Sequence, residues 1–114
     1  MAEATHSIKE NDTSPILQAT LKDGDGVVVN LSGSTVVFSM RDETLQTLKI
    51  DKQACTLVDA VNGVVSYTWL AANSDTDTPG KYIGEFQATN GAAIESYPNS
   101  EDNRLFIVIT PEVG

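Results

Sequence analysis

The sequence predicts an all-β protein, an antiparallel β-sandwich of about seven to nine short strands. Three observations carry this. Runs rich in Val, Ile, Thr, Tyr and Phe alternate with polar residues at period two. Turn dipeptides such as Asp25-Gly26, Asn62-Gly63 and Asn90-Gly91 punctuate the chain roughly every eight to twelve residues. No segment sustains the 3.6-residue period of an amphipathic helix.

The strands are justified in order. "PILQATL" (15–21) places Leu17, Ala19 and Leu21 on one face. Asp23-Gly24 and Asp25-Gly26 break it, since these residues tolerate positive φ, and "VVVNL" (27–31) is expected to return as a hairpin partner. After "SGS", "TVVFSM" (35–40) turns Val36, Phe38 and Met40 to one side. "LQTLKI" (45–50) reads as a strand from its surroundings, although Leu45, Leu48 and Lys49 also fit a helical turn. "CTLVDAV" (55–61) runs to Asn62-Gly63, and "VVSYTWL" (64–70) follows. "KYIGEFQAT" (81–89), "AIESY" (93–97, stopped by Pro98-Asn99) and the apolar "RLFIVIT" (104–110) complete the set.

This divides the chain into an N-terminal arm, 1–13, and a single domain, 14–114. The arm is polar, with Met1 and Ile8 as its only large apolar side chains. Ordering it costs about 1–2 kcal/mol per residue in backbone entropy. It is therefore expected to be mobile in the free protein and to order in an assembly, with Ile8 and Lys9 as its contacts.

The stretch "SDTDTPGKYIGEF" (74–86) refines the fold to an immunoglobulin-like sandwich. In such sandwiches a tyrosine at the start of a late strand folds its hydroxyl back onto the preceding corner. Here Gly80 would serve the turn and Tyr82 the corner, while Gly84 stands where a disulfide cysteine otherwise lies. Trp69, Phe86 and Phe38 are expected to fill the centre. The plainer reading of Tyr82 is the first core residue of its strand.

The order "NDTSPILQATLKDGDGVVVNLSGSTVVFSMRD", "LVDAVNGVVSYTW", "SDTDTPGKYIGEF", "ESYPN" resembles the N-terminal domain of the phage baseplate upper protein family. Matching positions include Asp12, Thr13, Gly33, Phe38, Met40, Arg41, Trp69, Gly80, Tyr82, Pro98 and Asn99, spread over about residues 10–110. The resemblance implies a role in phage or prophage virions on an immunoglobulin-like sandwich. Longer members of the family attach a receptor-binding apparatus to the tail tip. With the sequence ending at Gly114, no further domain is expected to carry a fibre or head.

Composition narrows the function. The net charge of −9 arises from 16 acids against 7 bases, and the bases form no stripe, which opposes a nucleic-acid partner. No apolar run approaches the roughly 20 residues of a membrane helix, so no membrane role is expected. The N-terminus lacks the basic and apolar regions of a secretory signal, so synthesis in the host cytoplasm is expected. Cys55 is alone and reads as a small core hydrophobe; the one imidazole, His6, lies in the arm. No Ser-His-Asp set, phosphate loop or Cys/His metal spacing is present. The expectation is a non-enzyme without cofactor or metal.

Two acidic clusters, 23–26 and 74–78, offer calcium-type oxygens, with solvated turns as the favoured reading. Arg41 is expected to pair locally with Asp42 or Glu43, with a partner protein as the alternative. The leading function is a structural virion protein of tail or baseplate that docks on other virion subunits, as a homo-oligomer or in many copies. Capsid decoration or a head-fibre base is the alternative within the virion. From another class, a host-surface or carbohydrate-binding module would need an exposed aromatic, for which Tyr97 is the candidate.

Overall fold

A computed structural model describes residues 4–14, 16–23, 25–70, 75–97 and 105–111. Pro15, Gly24, Ser74, Pro98-Asn99 and Arg104 lie outside them. Among the described residues nine strands form two sheets: β1 (Ala4–Lys9), β2 (Leu17–Thr20), β3 (Thr35–Asp42), β4 (Leu48–Ala54), β5 (Thr56–Asp59), β6 (Val64–Tyr67), β7 (Gly80–Asn90), β8 (Ala93–Tyr97) and β9 (Leu105–Thr110). The larger sheet runs β1-β9-β7-β3-β4, with β8 also on β7; the smaller runs β2-β6-β5. The long β7 takes both partners on one flank, β9 along Gly80–Gly84 and β8 along Phe86–Asn90. The run β9-β7-β3 follows the G-F-C order of immunoglobulin-like sandwiches, and β2-β6-β5 follows B-E-D.

Alternation fills the space between the sheets. β3 turns in Val36, Phe38 and Met40; β7 turns in Tyr82, Phe86 and Ala88; β6 adds Val65 and Tyr67; β9 adds Ile107 and Ile109. Each fully buried side chain of this size contributes about 1.5–3 kcal/mol by leaving water.

Four expectations are corrected. The sandwich is not wholly antiparallel, because β1 runs parallel to β9. Nor is the segment 1–13 a separate arm: Ala4–Lys9 forms an edge strand of the larger sheet, in register with Leu105–Thr110. Ile8 is 3% exposed and belongs to the core, while Lys9 faces solvent. Beyond the strand, the Glu10 amide donates to Thr110 O at 2.7 Å and the Asn11 amide to Thr76 O at 2.9 Å. The entropy of ordering this segment is thus offset within the chain, and no neighbour is needed to hold Ile8.

Residues 27–31 form no strand; a single bridge links Val28 to Lys22. The segment crosses over Gly63 instead, with the Val29 amide on Leu21 O at 3.0 Å and the Leu31 amide on Ala60 O at 2.7 Å. Asn62-Gly63 does close a hairpin, between the antiparallel β5 and β6 with Asp59 opposite Val64, but through a four-residue connection. Asp59 caps a 3-10 turn over Ala60–Asn62, and Gly63 ends it with φ of 72°. A Cβ at Gly63 would lie 2.7 Å from Val29 O and 2.8 Å from Leu21 O, so both the conformation and the close approach require glycine.

The fourth correction concerns 45–50. Pairing with β3 begins only at Leu48, and 43–47 form a turn. Asp42 directs this outcome, because its carboxylate accepts the amides of Thr44 and Leu45, both at 2.8 Å.

Candidate functional site

The connection between β6 and β7 is anchored at both ends by tyrosines. At the β7 end, the Tyr82 hydroxyl donates to Thr78 O at 2.7 Å. This is the geometry of a tyrosine corner. Gly80 has φ of 155°, a region that L side chains rarely adopt, and the Tyr82 ring packs against its Cα face. Burial holds the Tyr82 hydroxyl above the ordinary tyrosine range, helped by the charges of Asp42 and Asp77.

At the β6 end, the Tyr67 hydroxyl donates to Asp75 Oδ2 at 2.5 Å, and the Leu70 amide donates to the same oxygen at 2.8 Å. Asp75 is 2% exposed, so this carboxylate is a structural acceptor. Burial first, then the bond to Asp75, pushes Tyr67 well above the ordinary range. Between the two anchors, Thr76 Oγ1 donates to Asp12 O at 2.9 Å and ties the connection to the segment after β1.

Asp77 bonds the Lys49 ammonium and accepts the Thr78 hydroxyl. The Lys49 bond, and then that hydroxyl, hold its carboxyl below the usual carboxylate range. The cluster expected as a calcium candidate therefore spends Asp75 and Asp77 on protein donors. Asp23 likewise accepts the amides of Asp25 and Val27. Among the described residues, no three His, Cys, Asp or Glu side chains gather as a metal set. Burial raises the Cys55 thiol to about 12, so it stays protonated at neutral pH and is a poor nucleophile.

The predicted centre is assembled around Phe38, with ring centroids 5.0 Å from Tyr67, 5.0 Å from Phe86 and 6.0 Å from Trp69. Trp69 is 1% exposed. Gly84 makes room for Phe38 from the neighbouring strand of its own sheet: a Cβ there would lie 2.8 Å from the Phe38 ring. Tyr97 is buried, and its hydroxyl donates to Glu95 Oε2 at 3.0 Å. All seven aromatic residues are buried, which removes the stacking platform that a carbohydrate module would use.

Among the exposed apolar side chains, Leu45 and Leu48 lie together at the β3–β4 turn beside charged residues. Sequence reasoning expected Arg41 there to pair with Asp42 or Glu43. It pairs with neither: Asp42 accepts turn amides and Glu43 Oε2 lies 3.7 Å from Lys81 Nζ. No sequence signal identified this surface, since exposed leucines in a turn carry no period.

Comparison with known proteins adds the fold relation. No family model matches the chain, and no curated protein matches it. Among solved structures it is similar to the N-terminal domain of phage TP901-1 ORF48, at 10% identity and a TM-score of 0.50, over 96% of this chain and 85% of that one. The chain shares the fold of a phage protein domain. At this identity the likeness is one of fold alone.

Proposed function

We propose that the chain is a non-enzymatic structural domain of a phage virion, acting in the tail or baseplate by docking on other virion proteins. The observation that carries this is the fold relation to a phage protein domain over 96% of the chain. The ordered motifs from Asp12-Thr13 to Pro98-Asn99 support the finer assignment to a baseplate-type domain. The chemistry of the polar groups is consistent with it: Asp42, Asp75 and Asp77 each hold a loop in place. On this reading the protein is made in the host cytoplasm and resides in the particle.

Quantitative mass spectrometry of purified particles tests the proposal. The expected result is this chain at a fixed ratio to the tail proteins. A ratio tracking the major capsid protein instead would move it to the head, and absence from mature particles would remove the virion role.

A further inference from the structure

On four strands of the larger sheet the outward side carries more bases than acids. Among the described residues of β1, β9, β7 and β3, its outward positions carry the bases Lys9, Lys81 and Arg41 and one acid, Glu85. A face of three bases and one acid stands on a chain of 7 bases and 16 acids. Lys81 is engaged, 3.7 Å from Glu43 and 4.1 Å from the centroid of the Phe106 ring. Arg41 makes no ion pair among the described residues.

The register sets Arg41 in an apolar row. It stands opposite Ile83 on β7 and Leu48 on β4. Leu48 is 62% exposed, and Leu45 on the adjoining turn is 71% exposed. That turn is fixed before any partner arrives. Besides the two amides on Asp42, the Gln46 amide donates to Asp42 O at 2.9 Å and Gln46 Nε2 donates to Glu43 O at 2.7 Å. The Glu43 amide donates across to Lys81 O at 3.1 Å. On fixed backbone only side-chain freedom is lost on binding, and arginines among apolar side chains are frequent interface anchors. Its planar guanidinium is suited to a carboxylate.

The geometry points to this row as the docking surface for a different protein that presents a carboxylate within an apolar patch. A second copy fits poorly. A two-fold contact through this face would bring three bases and one acid against the same three bases and one acid, and so place like charges together. A head-to-tail contact would work against repulsion between two chains of −9. The inference rests on the proposed virion role and names the surface that role uses.

Hydroxyl-radical footprinting of purified particles against the free domain tests it, together with Arg41→Glu and Arg41→Lys. Leu45 and Leu48 should lose at least about five-fold in reactivity in the particle, with Val58 on β5 unchanged. Arg41→Glu should cut incorporation at least about ten-fold with an unchanged thermal midpoint, and Arg41→Lys should incorporate more than Arg41→Glu. Full reactivity of both leucines in particles that contain the protein, or wild-type incorporation of Arg41→Glu, overturns the surface. A photo-crosslink from position 48 to another copy of this chain overturns the foreign partner. Absence of the protein from particles overturns the virion role itself, and this partner assignment with it.

Discussion

Tyr67 and Tyr82 bracket the same connection, and each ties it down through a hydroxyl, yet their acceptors differ in kind. Tyr82 donates to a backbone carbonyl, Thr78 O. Tyr67 donates to a side-chain carboxylate, Asp75, which is buried with it. A carbonyl is supplied by any residue, so the first anchor needs only spacing and a glycine at the turn. The carboxylate has to be brought inside and stripped of water, and it is tolerable there only with good donors around it. The second anchor is therefore the costlier one to break.

The largest effect is expected from Asp75→Ala. It leaves the Tyr67 hydroxyl and the Leu70 amide without their shared acceptor. The loss should be about 3 kcal/mol, within the range for breaking a buried charged network. Urea unfolding with an unchanged m-value checks it. A loss under about 1 kcal/mol would mean that the two anchors are equivalent.

Tyr67→Phe comes next, at about 2 kcal/mol, because one of two donors to a buried carboxylate is gone while the ring still packs. It also has a pH signature. The folded-state pKa of Tyr67 is raised above its ordinary value of about 10, so the neutral hydroxyl is the form that folding favours. That stabilisation is complete below about pH 10 and is lost as the pH rises further, toward the folded value. Cys55 acts with the same sign from its ordinary value up to about 12. The thermal midpoint of the wild type should fall on this alkaline limb. Tyr67→Phe should fall less steeply, and Tyr82→Phe should resemble the wild type more closely, since its shift is the smaller.

The same contrast explains what the sequence disclosed. The strands β2, β3 and β5 to β9 were legible because period two and turn residues are local, whereas β4 was placed three residues early. So was the corner, because Gly80 and Tyr82 sit two residues apart and find their acceptor nearby. Asp75 was not legible: an acidic, breaker-rich stretch reads as a solvated turn, and only the buried Tyr67 hydroxyl at the start of the same connection draws it in. β1 escaped for a related reason. One inward isoleucine in a polar segment is a weak signal until β9 supplies an edge. Residues 27–31 misled in the opposite direction, since their valines suit a strand but the approach to Gly63 takes the backbone elsewhere. Arg41 misled through its neighbours, whose carboxylates were nearest in sequence but already engaged.

Tyr82→Phe should give the smallest single loss, about 1 kcal/mol, the usual net value of one neutral hydrogen bond. Its carbonyl partner can recover a water, because Thr78 is exposed. The decisive measurement is the double variant. Asp75 and Thr78 lie three residues apart on one connection, so each anchor holds the segment in place for the other. Releasing one end lets the segment move, and the second anchor then has less left to lose. The double variant should accordingly lose less than the sum of its parts, by about 0.5 kcal/mol or more, beyond the scatter of independent sites. Strict additivity would mean that the two tyrosines hold two separate pieces of chain, with the Thr76–Asp12 bond keeping the middle fixed by itself.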